Sequence, residues 1–389
     1  MEKVINESEC SGCLACIAFC PQKAIEKSHT EEGFYYPKIR YDLCNDCKLC
    51  SDFCRRLTDL KINKPLNIYS LQNRDEKMLI EATSGGAFEL FAKKILSEGG
   101  VIFGAVYDEN MIVKHKAGYS TEDIRKMNGS KYVQSDPIEA YMEALSALKR
   151  GQKVLFSGTP CQIAGLLALT GAYSNLITVD IPCYGVPSPE FFAWQVTNLE
   201  HKYKAQMTDF RFRDKHKNGF SHTSVLKFRR NETAFEKIVD KYIYIPYHYA
   251  FAQKNCYQKK CYRCEYTTPD RVSDITIASF WNIDKYTDMY DIEKGVSMVL
   301  VNTPKGRHLF DCISTNAVFK EHSLDDALVV NAALRKNVEY PRDRDRIINA
   351  GIKEGFNGIK RYYKPPLKEK IKGFMPMFAM NFLRRILRK

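Results

Sequence analysis

Residues 10–21 read CSGCLACIAFCP and decide the fold of the N-terminal region. The cysteines follow the pattern C-x2-C-x2-C-x3-C, and residues 44–54, CNDCKLCSDFC, repeat it. At this spacing three thiolates can bind three corners of an iron–sulfur cube, while the fourth faces the cube that the other copy holds. The duplicated pattern therefore predicts two 4Fe–4S clusters.

The crossed use of the fourth cysteine predicts two sets of ligands. They are Cys10, Cys13, Cys16 and Cys54 for one cluster, and Cys44, Cys47, Cys50 and Cys20 for the other. Zinc is the alternative, although zinc sites usually combine two CxxC knuckles rather than three cysteines in series and a fourth. Residues 1–60 resemble a bacterial-type two-cluster ferredoxin, so we expect an α+β ferredoxin-like domain there.

The remaining bulk properties are those of a globular protein of two or three domains, since the chain has 389 residues. The first six residues are short and polar, and no apolar run approaches the length that spans a membrane. Fourteen cysteines without a secretion signal indicate a reducing compartment, where thiols bind metals rather than form disulfides. We therefore expect a cytoplasmic protein.

The formal net charge of +13 is concentrated at the C-terminal end, where residues 360–389 hold ten Lys or Arg and one acid, Glu369. Bulky apolar residues lie among these cations beyond Pro365. The combination predicts a basic amphipathic tail, residues 365–389, on an anionic membrane surface, with the protein peripheral on the inner face. A helix docked on the protein itself is the alternative, and no nucleic-acid partner is expected.

Beyond a polar linker at residues 61–75, the body at residues 76–364 alternates apolar runs of strand length with helical patterns. Runs at 101–107, 154–157 and 176–181 predict strands, and residues 138–148 and 189–199 predict helices. Such alternation is typical of an α/β domain.

Five cysteines of the body fall at predicted strand ends or in one Lys- and Tyr-rich loop. They are Cys161, Cys183, Cys256, Cys261 and Cys264. Parallel strands bring their carboxyl ends to one edge of a sheet, where α/β proteins bind ligands. A third metal site is one interpretation, and small buried apolar residues are the other.

Here the body resembles the family of the coenzyme F420 hydrogenase/dehydrogenase beta subunit. The matching segments are TSGGAF at 83–88, GSKYVQS at 129–135, GTPCQIAGL at 158–166, CYGVPSP at 183–189 and CYRC at 261–264. The resemblance implies a flavin-binding body with FAD and a further iron–sulfur cluster. The positions that match the family's cluster ligands are Cys161, Cys183, Cys261 and Cys264, which leaves Cys256 spare.

Two departures from the family pattern bear on the substrate. Tyr184 stands where the family usually has a histidine, and residues 278–282 read ASFWN where it often has GDFWG. The resemblance therefore implies the fold and the cluster but neither the substrate nor a proton donor, and no catalytic residue is assigned.

The segment Ser84-Gly85-Gly86, at the start of an apolar helix, suits a phosphate, because glycines allow close approach and the helix N-terminus favours anions. With Lys131 and Tyr132 of the 129–135 motif, it gives the FAD contacts that we expect. A tight turn with Ser84 as N-cap is the alternative. Farther on, the alternating cations Arg211, Arg213 and Lys215 predict one of two features. They either line a pocket that binds an anion or form a solvated strand face.

These features predict an iron–sulfur flavoprotein oxidoreductase. A redox donor protein or reduced cofactor would supply electrons, and these would pass through the clusters and FAD to an organic substrate. FAD is suited to this place because it bridges single-electron and electron-pair chemistry. A glycan-linked substrate of surface polysaccharide biosynthesis is suggested by analogy alone. The alternatives are an F420-dependent oxidoreductase, an electron-transfer subunit for a separate catalytic protein, and a structural zinc protein.

Overall fold

The two cysteine-rich copies fold into two short helices, each preceded by a residue in the left-handed region. Leu14 has a φ of 61° and Lys48 a φ of 60°, at equivalent positions of the two copies. The computed structural model describes residues 7–216 and 219–365. Apart from Pro365, the predicted amphipathic tail lies outside these residues, so it stays a prediction.

The described strands and helices alternate through most of the body. The strands are β1 Ile25–His29, β2 Tyr35–Ile39, β3 Asn67–Asn73, β4 Val101–Tyr107, β5 Val113–Gly118, β6 Val154–Gly158, β7 Leu176–Asp180, β8 Gln206–Arg211, β9 Ser224–Arg230, β10 Thr233–Val239, β11 Ile275–Ser279, β12 Ser297–Val301 and β13 Ala317–His322. The helices are α1 Ala15–Phe19, α2 Leu49–Arg56, α3 Glu76–Glu81, α4 Ala87–Ser97, α5 Thr121–Met127, α6 Ile138–Lys149, α7 Pro160–Thr170, α8 Pro189–Tyr203, α9 Pro246–Ala252, α10 Pro304–Ile313, α11 Leu324–Val330, α12 Arg344–Glu354 and α13 Phe356–Tyr362.

The body is built on a mixed sheet of eight strands in the order β13-β3-β12-β11-β7-β6-β4-β5. Strands β4, β6, β7 and β11 are parallel, and antiparallel strands flank them on both sides. Because α4 and α10 cover one face and α6 and α7 the other, the central strands bury both faces and are mainly apolar. The α/β prediction for the body is confirmed as a mixed α/β fold.

The N-terminal unit is the pair β1–β2 with α1 and α2, and it packs on the second face of the body. Helix α1 contacts both α6 and α7. The fully buried Arg344 donates to the Glu32 carboxylate, with 2.6 Å from Nη1 to Oε1, and to the Tyr257 carbonyl. This cation therefore joins the β1–β2 turn to the body.

Strand β3 corrects the predicted linker at residues 61–75. It lies between β12 and β13 and is almost wholly buried. Its sequence, NIYSLQN, reads as polar, yet its polar groups have internal partners. Ser70 Oγ is 2.7 Å from both the Tyr290 hydroxyl and His322 Nε2, and Gln72 donates to two carbonyls. Satisfied hydrogen bonds allow such a strand to be buried.

A second sheet, in the order β10-β9-β8, packs against α8 and α9 through an aromatic core that includes Phe192, Phe210 and Tyr247. Residues of this sheet line the clefts described below, together with the segments that follow α3 and α5. In the part of the chain that the structure describes, none of the helices has both the length and the apolar character needed to cross a membrane.

Candidate functional site

The first copy of the cysteine motif is buried against the body, and it meets the last cysteine of the second copy. Burial, and after it the charges of Cys13 and Cys54, raises the pKa of Cys10 to about 12. Burial and the charges of Cys13, Cys10 and Cys54 raise the pKa of Cys16 in the same way. The structure thus brings Cys54 to the first set, in the arrangement that the crossed pattern predicts.

The second copy faces solvent. Burial, followed by the charges of Cys20 and Cys44, raises the pKa of Cys50, which places Cys20 with this set. Residues 41–49 are exposed except for Cys44, and Cys47 itself is exposed. At the two equivalent left-handed positions, Leu14 is buried and Lys48 exposed. One copy therefore faces the body and the other is accessible from outside.

Four of the five body cysteines face one another at the edge of the large sheet. Cys161 opens α7 directly after β6, with its sulfur 3.2 Å from the Thr159 hydroxyl. Burial, and after it the charges of Cys264 and Cys183, raise the pKa of Cys161. Cys183 follows β7. Burial, and after it the charge of Cys264, raises the pKa of Cys183 to about 12. Burial, and after it the charges of Cys183 and Cys264, also raise the pKa of Cys261. The structure thus groups the four thiols at this edge of the sheet.

Cys256 lies apart from this group. It is fully buried, and burial raises its pKa against the opposing charge of Arg344 rather than through another thiol. It packs in the aromatic core beside Tyr257 and Tyr262. Its surroundings are those of a small apolar core residue.

A buried ion pair holds the loops that carry the body cysteines. Arg271 Nη2 donates to Asp180 Oδ2 at 2.8 Å, and the two side chains are 1% and 0% exposed. Arg271 Nη1 donates to the carbonyls of Tyr266 and Thr268, just beyond Cys264. The end of β7 before Cys183 is thereby joined to the loop that follows Cys264. The sequence carried no signal for Arg271, because its role depends on contacts distant in the chain.

The donors suit iron–sulfur clusters in kind and number, since each set offers four thiolates. Within the described residues, no three cysteine, histidine or carboxylate side chains converge closely enough to hold a single metal ion. A cube instead takes one thiolate at each of its irons, so that its ligands are spread around it.

The first set and the body set are neighbours. The charge of Cys13 contributes to the raised pKa of Cys161, and the charges of both thiols contribute to the raised pKa of Tyr266. The CxxC loop also reaches the first motif directly, because Gln258 donates to the Cys10 carbonyl at 2.9 Å and Arg263 to the Glu9 carboxylate at 3.0 Å. The cysteines of the N-terminal unit and those of the body therefore form one continuous region.

The Ser84–Gly86 turn, which was predicted to bind FAD, contacts the backbone of neighbouring segments instead. Ser84 donates to the Val296 carbonyl at 2.7 Å, and a side chain at Gly85 would overlap the Leu71 carbonyl. Gly86 directly precedes α4 with a φ of 80°, a left-handed conformation that glycine adopts without strain. In the described residues, the neighbouring cleft is lined by Thr83 rather than by these three.

Lys131 and Tyr132 do line that cleft, with residues 80–83 and 209–214. The Lys131 ammonium donates to the carbonyls of Lys126, Met127 and Asn128, at 2.7, 3.1 and 3.0 Å, and so caps α5. Burial lowers its pKa to about 7. The cleft holds only about 20 Å³, but an adjoining cavity of about 380 Å³ shares four of its lining residues, Glu81, Asn128, Arg211 and Asp214.

The three cations predicted to alternate on one strand face diverge. Arg211 pairs with Asp209 at 3.2 Å, and the Lys215 ammonium is buried among the carbonyls of Leu79, Ser84 and Lys294. Arg213 lies 5.2 Å from the ring centroids of Phe220 and Trp281 and donates to Ser279 at 2.7 Å. Arg211 and Arg213 still line one small cleft, whereas Lys215 does not, so only part of the predicted pocket forms.

Arg213 lines the small cleft, and its Nε is buried without a hydrogen-bond partner among the described residues. A buried donor of this kind calls for an acceptor, and an oxyanion in the cleft would supply one. In chemical kind, Arg213 therefore suits an anionic group such as a phosphate.

Glu89, on α4 beside this region, gives a pH-dependent prediction. Burial raises its pKa to about 7, against the opposing charge of Lys215. As pH rises from 4.5 to about 7, the unfolded chain ionises this carboxyl while the folded chain resists, so we expect the free energy of unfolding to fall by about 3 kcal/mol. Glu89→Gln should abolish this part of the pH slope in chemical denaturation, and the exposed control Glu143→Gln should keep it. A slope unchanged in Glu89→Gln would contradict the assignment.

Two family models match the chain. Residues 151–327 match the model for the C terminus of the coenzyme F420 hydrogenase/dehydrogenase beta subunit, and residues 3–26 match the 4Fe-4S binding domain. The second match supports the 4Fe–4S assignment of the N-terminal motif.

Individual relatives cover parts of the chain. An uncharacterized protein of Methanocaldococcus jannaschii is 27% identical in an alignment of length 207, which covers 45% of this chain and 57% of that protein. The ketoisovalerate oxidoreductase subunit VorC of Methanothermobacter marburgensis is 34% identical over 62 residues, 15% of this chain and 78% of that subunit. The pyruvate synthase subunit PorD of the same organism is 34% identical over 50 residues, 13% and 52% of the two chains.

Among solved structures, a chain of the F420-reducing NiFe hydrogenase complex from Methanosarcina barkeri aligns with a TM-score of 0.44 and 18% identity. The alignment covers 77% of this chain and 92% of that one. The chain thus spans little more than half of its relative from Methanocaldococcus jannaschii and nearly all of this structural neighbour.

Proposed function

Because this chain belongs to the coenzyme F420 hydrogenase/dehydrogenase beta subunit family through residues 151–327 and begins with a 4Fe-4S binding domain, we propose that it is an iron–sulfur flavoprotein oxidoreductase. Its ferredoxin-like unit would accept electrons from a redox donor and deliver them to the body. The packing of α1 on α7 carries this proposal, because it brings the set that contains Cys13 close to the set that contains Cys161, and electron transfer requires cofactors that lie near one another.

We propose three 4Fe–4S clusters, held by the two crossed N-terminal sets and by Cys161, Cys183, Cys261 and Cys264. The protein's part is to bury the first and the body sets, to exclude water from their surroundings and to fix their separation. The ion pair of Arg271 with Asp180 supports this role, because it orders the chain on both sides of the body set.

We further propose that FAD occupies the joined clefts beside Thr83, Lys131 and Tyr132. FAD exchanges electrons singly with iron–sulfur clusters and in pairs with organic molecules. Arg213 would bind its pyrophosphate through the unpaired Nε. The Ser84–Gly86 turn would act indirectly, by holding Thr83 at the rim.

A second candidate is an electron-transfer subunit for a separate catalytic protein. It is favoured by the names of two relatives, VorC and PorD, which are each a subunit of an oxidoreductase or synthase. F420 dependence remains an alternative from the family name, and a glycan-linked substrate rests on sequence analogy alone. Turnover by the purified chain with an artificial donor and candidate acceptors separates an enzyme from an electron-transfer component.

Stepwise reduction tests the proposed function. Under anaerobic photoreduction we expect the broad visible absorption of the clusters to bleach, together with that of one bound flavin. In Cys161→Ser, the N-terminal clusters should still bleach while the flavin is reduced much more slowly. Flavin reduction at the wild-type rate in this variant would remove the body cluster from the path.

The two clusters proposed for the N-terminal unit should lose their iron at different rates. Cys10, Cys13 and Cys16 are 6–8% exposed, whereas Cys47 is exposed. Treatment with an oxidant and an iron chelator should therefore release about four of about twelve iron atoms in a fast phase. Cys47→Ser should remove that phase. Release of all the iron in a single phase would be the opposite result.

A further inference from the structure

The contact between the N-terminal unit and the body is made by residues that no cysteine pattern identifies. Helix α1 begins two residues after Cys13, and α7 begins one residue before Cys161. The two helices pack together, so each brings one cysteine set to the contact.

Gly165, one turn after Cys161, allows the close approach. A Cβ atom at this position would lie 2.9 Å from Ala15 Cβ, 3.3 Å from Cys13 Sγ and 3.4 Å from the Tyr141 hydroxyl. The first distance is shorter than packed carbons tolerate, so any larger side chain would push α1 and Cys13 away from α7. The backbone of Gly165 is helical, so its value here is the missing side chain rather than its conformational freedom.

Tyr141 bridges the same two helices. Its hydroxyl is 3.1 Å from the Cys13 carbonyl and 3.0 Å from the Gln162 carbonyl, which directly follows Cys161. The side chain is fully buried, and burial holds its pKa well above the usual range, so the hydroxyl stays a donor. Its ring packs on Phe156 at 5.6 Å, which fixes it to the central sheet.

Tyr266 packs beside the same junction. It is partly buried against the apolar cluster to which Cys13 and Tyr141 belong.

We propose that Tyr141 and Gly165 are positioning residues that form the electron-transfer junction between the N-terminal unit and the body. The inference deepens the proposed function and rests on it. With clusters bound by both cysteine sets, one electron would cross this junction, so that the first cluster would be oxidised by one equivalent and the body cluster reduced by one. No bond forms or breaks, and a low-potential one-electron carrier supplies the electron from outside.

The test compares Gly165→Leu and Tyr141→Phe with Tyr107→Phe, which alters a half-buried tyrosine whose hydroxyl donates to the Phe210 carbonyl at 3.0 Å. Iron content is measured first, and electron paramagnetic resonance of the dithionite-reduced proteins then reports the magnetic coupling between clusters. We expect wild-type iron in all three, loss of the coupling to the body cluster in Gly165→Leu, and wild-type coupling in Tyr107→Phe. In Tyr141→Phe, we expect slower reduction of the body cluster in rapid-freeze samples.

Coupling and reduction rate unchanged in both junction variants would overturn the proposal while leaving the proposed function intact. If Gly165→Leu fails to fold, Gly165→Ala and Tyr141→Phe decide the question by the same readouts. A wild-type chain that lacks the body cluster would overturn the junction and the proposed function together, and iron content distinguishes that case from the first.

Discussion

Replacing Arg271 by methionine is expected to lower the free energy of unfolding by about 3–5 kcal/mol. Arg271 and Asp180 are 1% and 0% exposed and 2.8 Å apart, so the substitution leaves a carboxylate buried without its partner. The carbonyls of Tyr266, Thr268 and Ile181 also lose a donor. Chemical denaturation under anaerobic conditions, with the clusters in place, measures the change.

Two matched variants sharpen this prediction. Removing both charges in Arg271→Met with Asp180→Leu should recover part of the loss, because no charge is then left buried. Arg342→Met, at an exposed arginine, should leave stability unchanged. A loss of less than about 1 kcal/mol in Arg271→Met, as surface ion pairs give, would show that the pair does not hold the cysteine loops.

Replacing Cys183 by serine is expected to remove about four of about twelve iron atoms and to leave the two N-terminal clusters in place. Cys183 faces Cys264 and Cys261, whereas the N-terminal sets lie on a separate unit with their own four thiols each. Iron analysis and the visible spectrum of the anaerobically purified variant measure the loss.

Cys256→Ser is the matched control for the body set. Cys256 is fully buried in the aromatic core, whereas the four proposed ligands are partly buried, so we expect wild-type iron content. Equal iron loss in the two variants would place Cys256 among the ligands. Retention of all the iron in Cys183→Ser would remove Cys183 from them.

The parts of the site that follow local rules could be predicted from the sequence. The spacing of the N-terminal cysteines predicts which of them share a cluster, and the charge of Cys54 does act on Cys10 in the structure. Apolar runs gave the central strands because both faces of the sheet are covered. Cys161 and Cys183 could be expected together because β6 and β7 are parallel neighbours that end at one edge.

Features that depend on tertiary contacts could not be predicted. Strand β3 reads as a polar linker, since the partners of Ser70 and Gln72 lie more than two hundred residues away. Lys131 was expected at a phosphate, but the carbonyl ends of α5 lie within its reach and hold the ammonium. Gly165 and Tyr141 look like ordinary helix residues until α1 is seen against α7.

The central claim is that three cysteine sets form one path from the N-terminal unit to a flavin in the body. Iron, sulfide and flavin content per chain, measured on anaerobically purified protein with a visible spectrum before and after dithionite, tests it most directly. The account predicts about twelve iron atoms and one FAD per chain. About eight iron atoms without flavin would contradict it, because the body would then hold neither the third cluster nor the cofactor that receives the electrons.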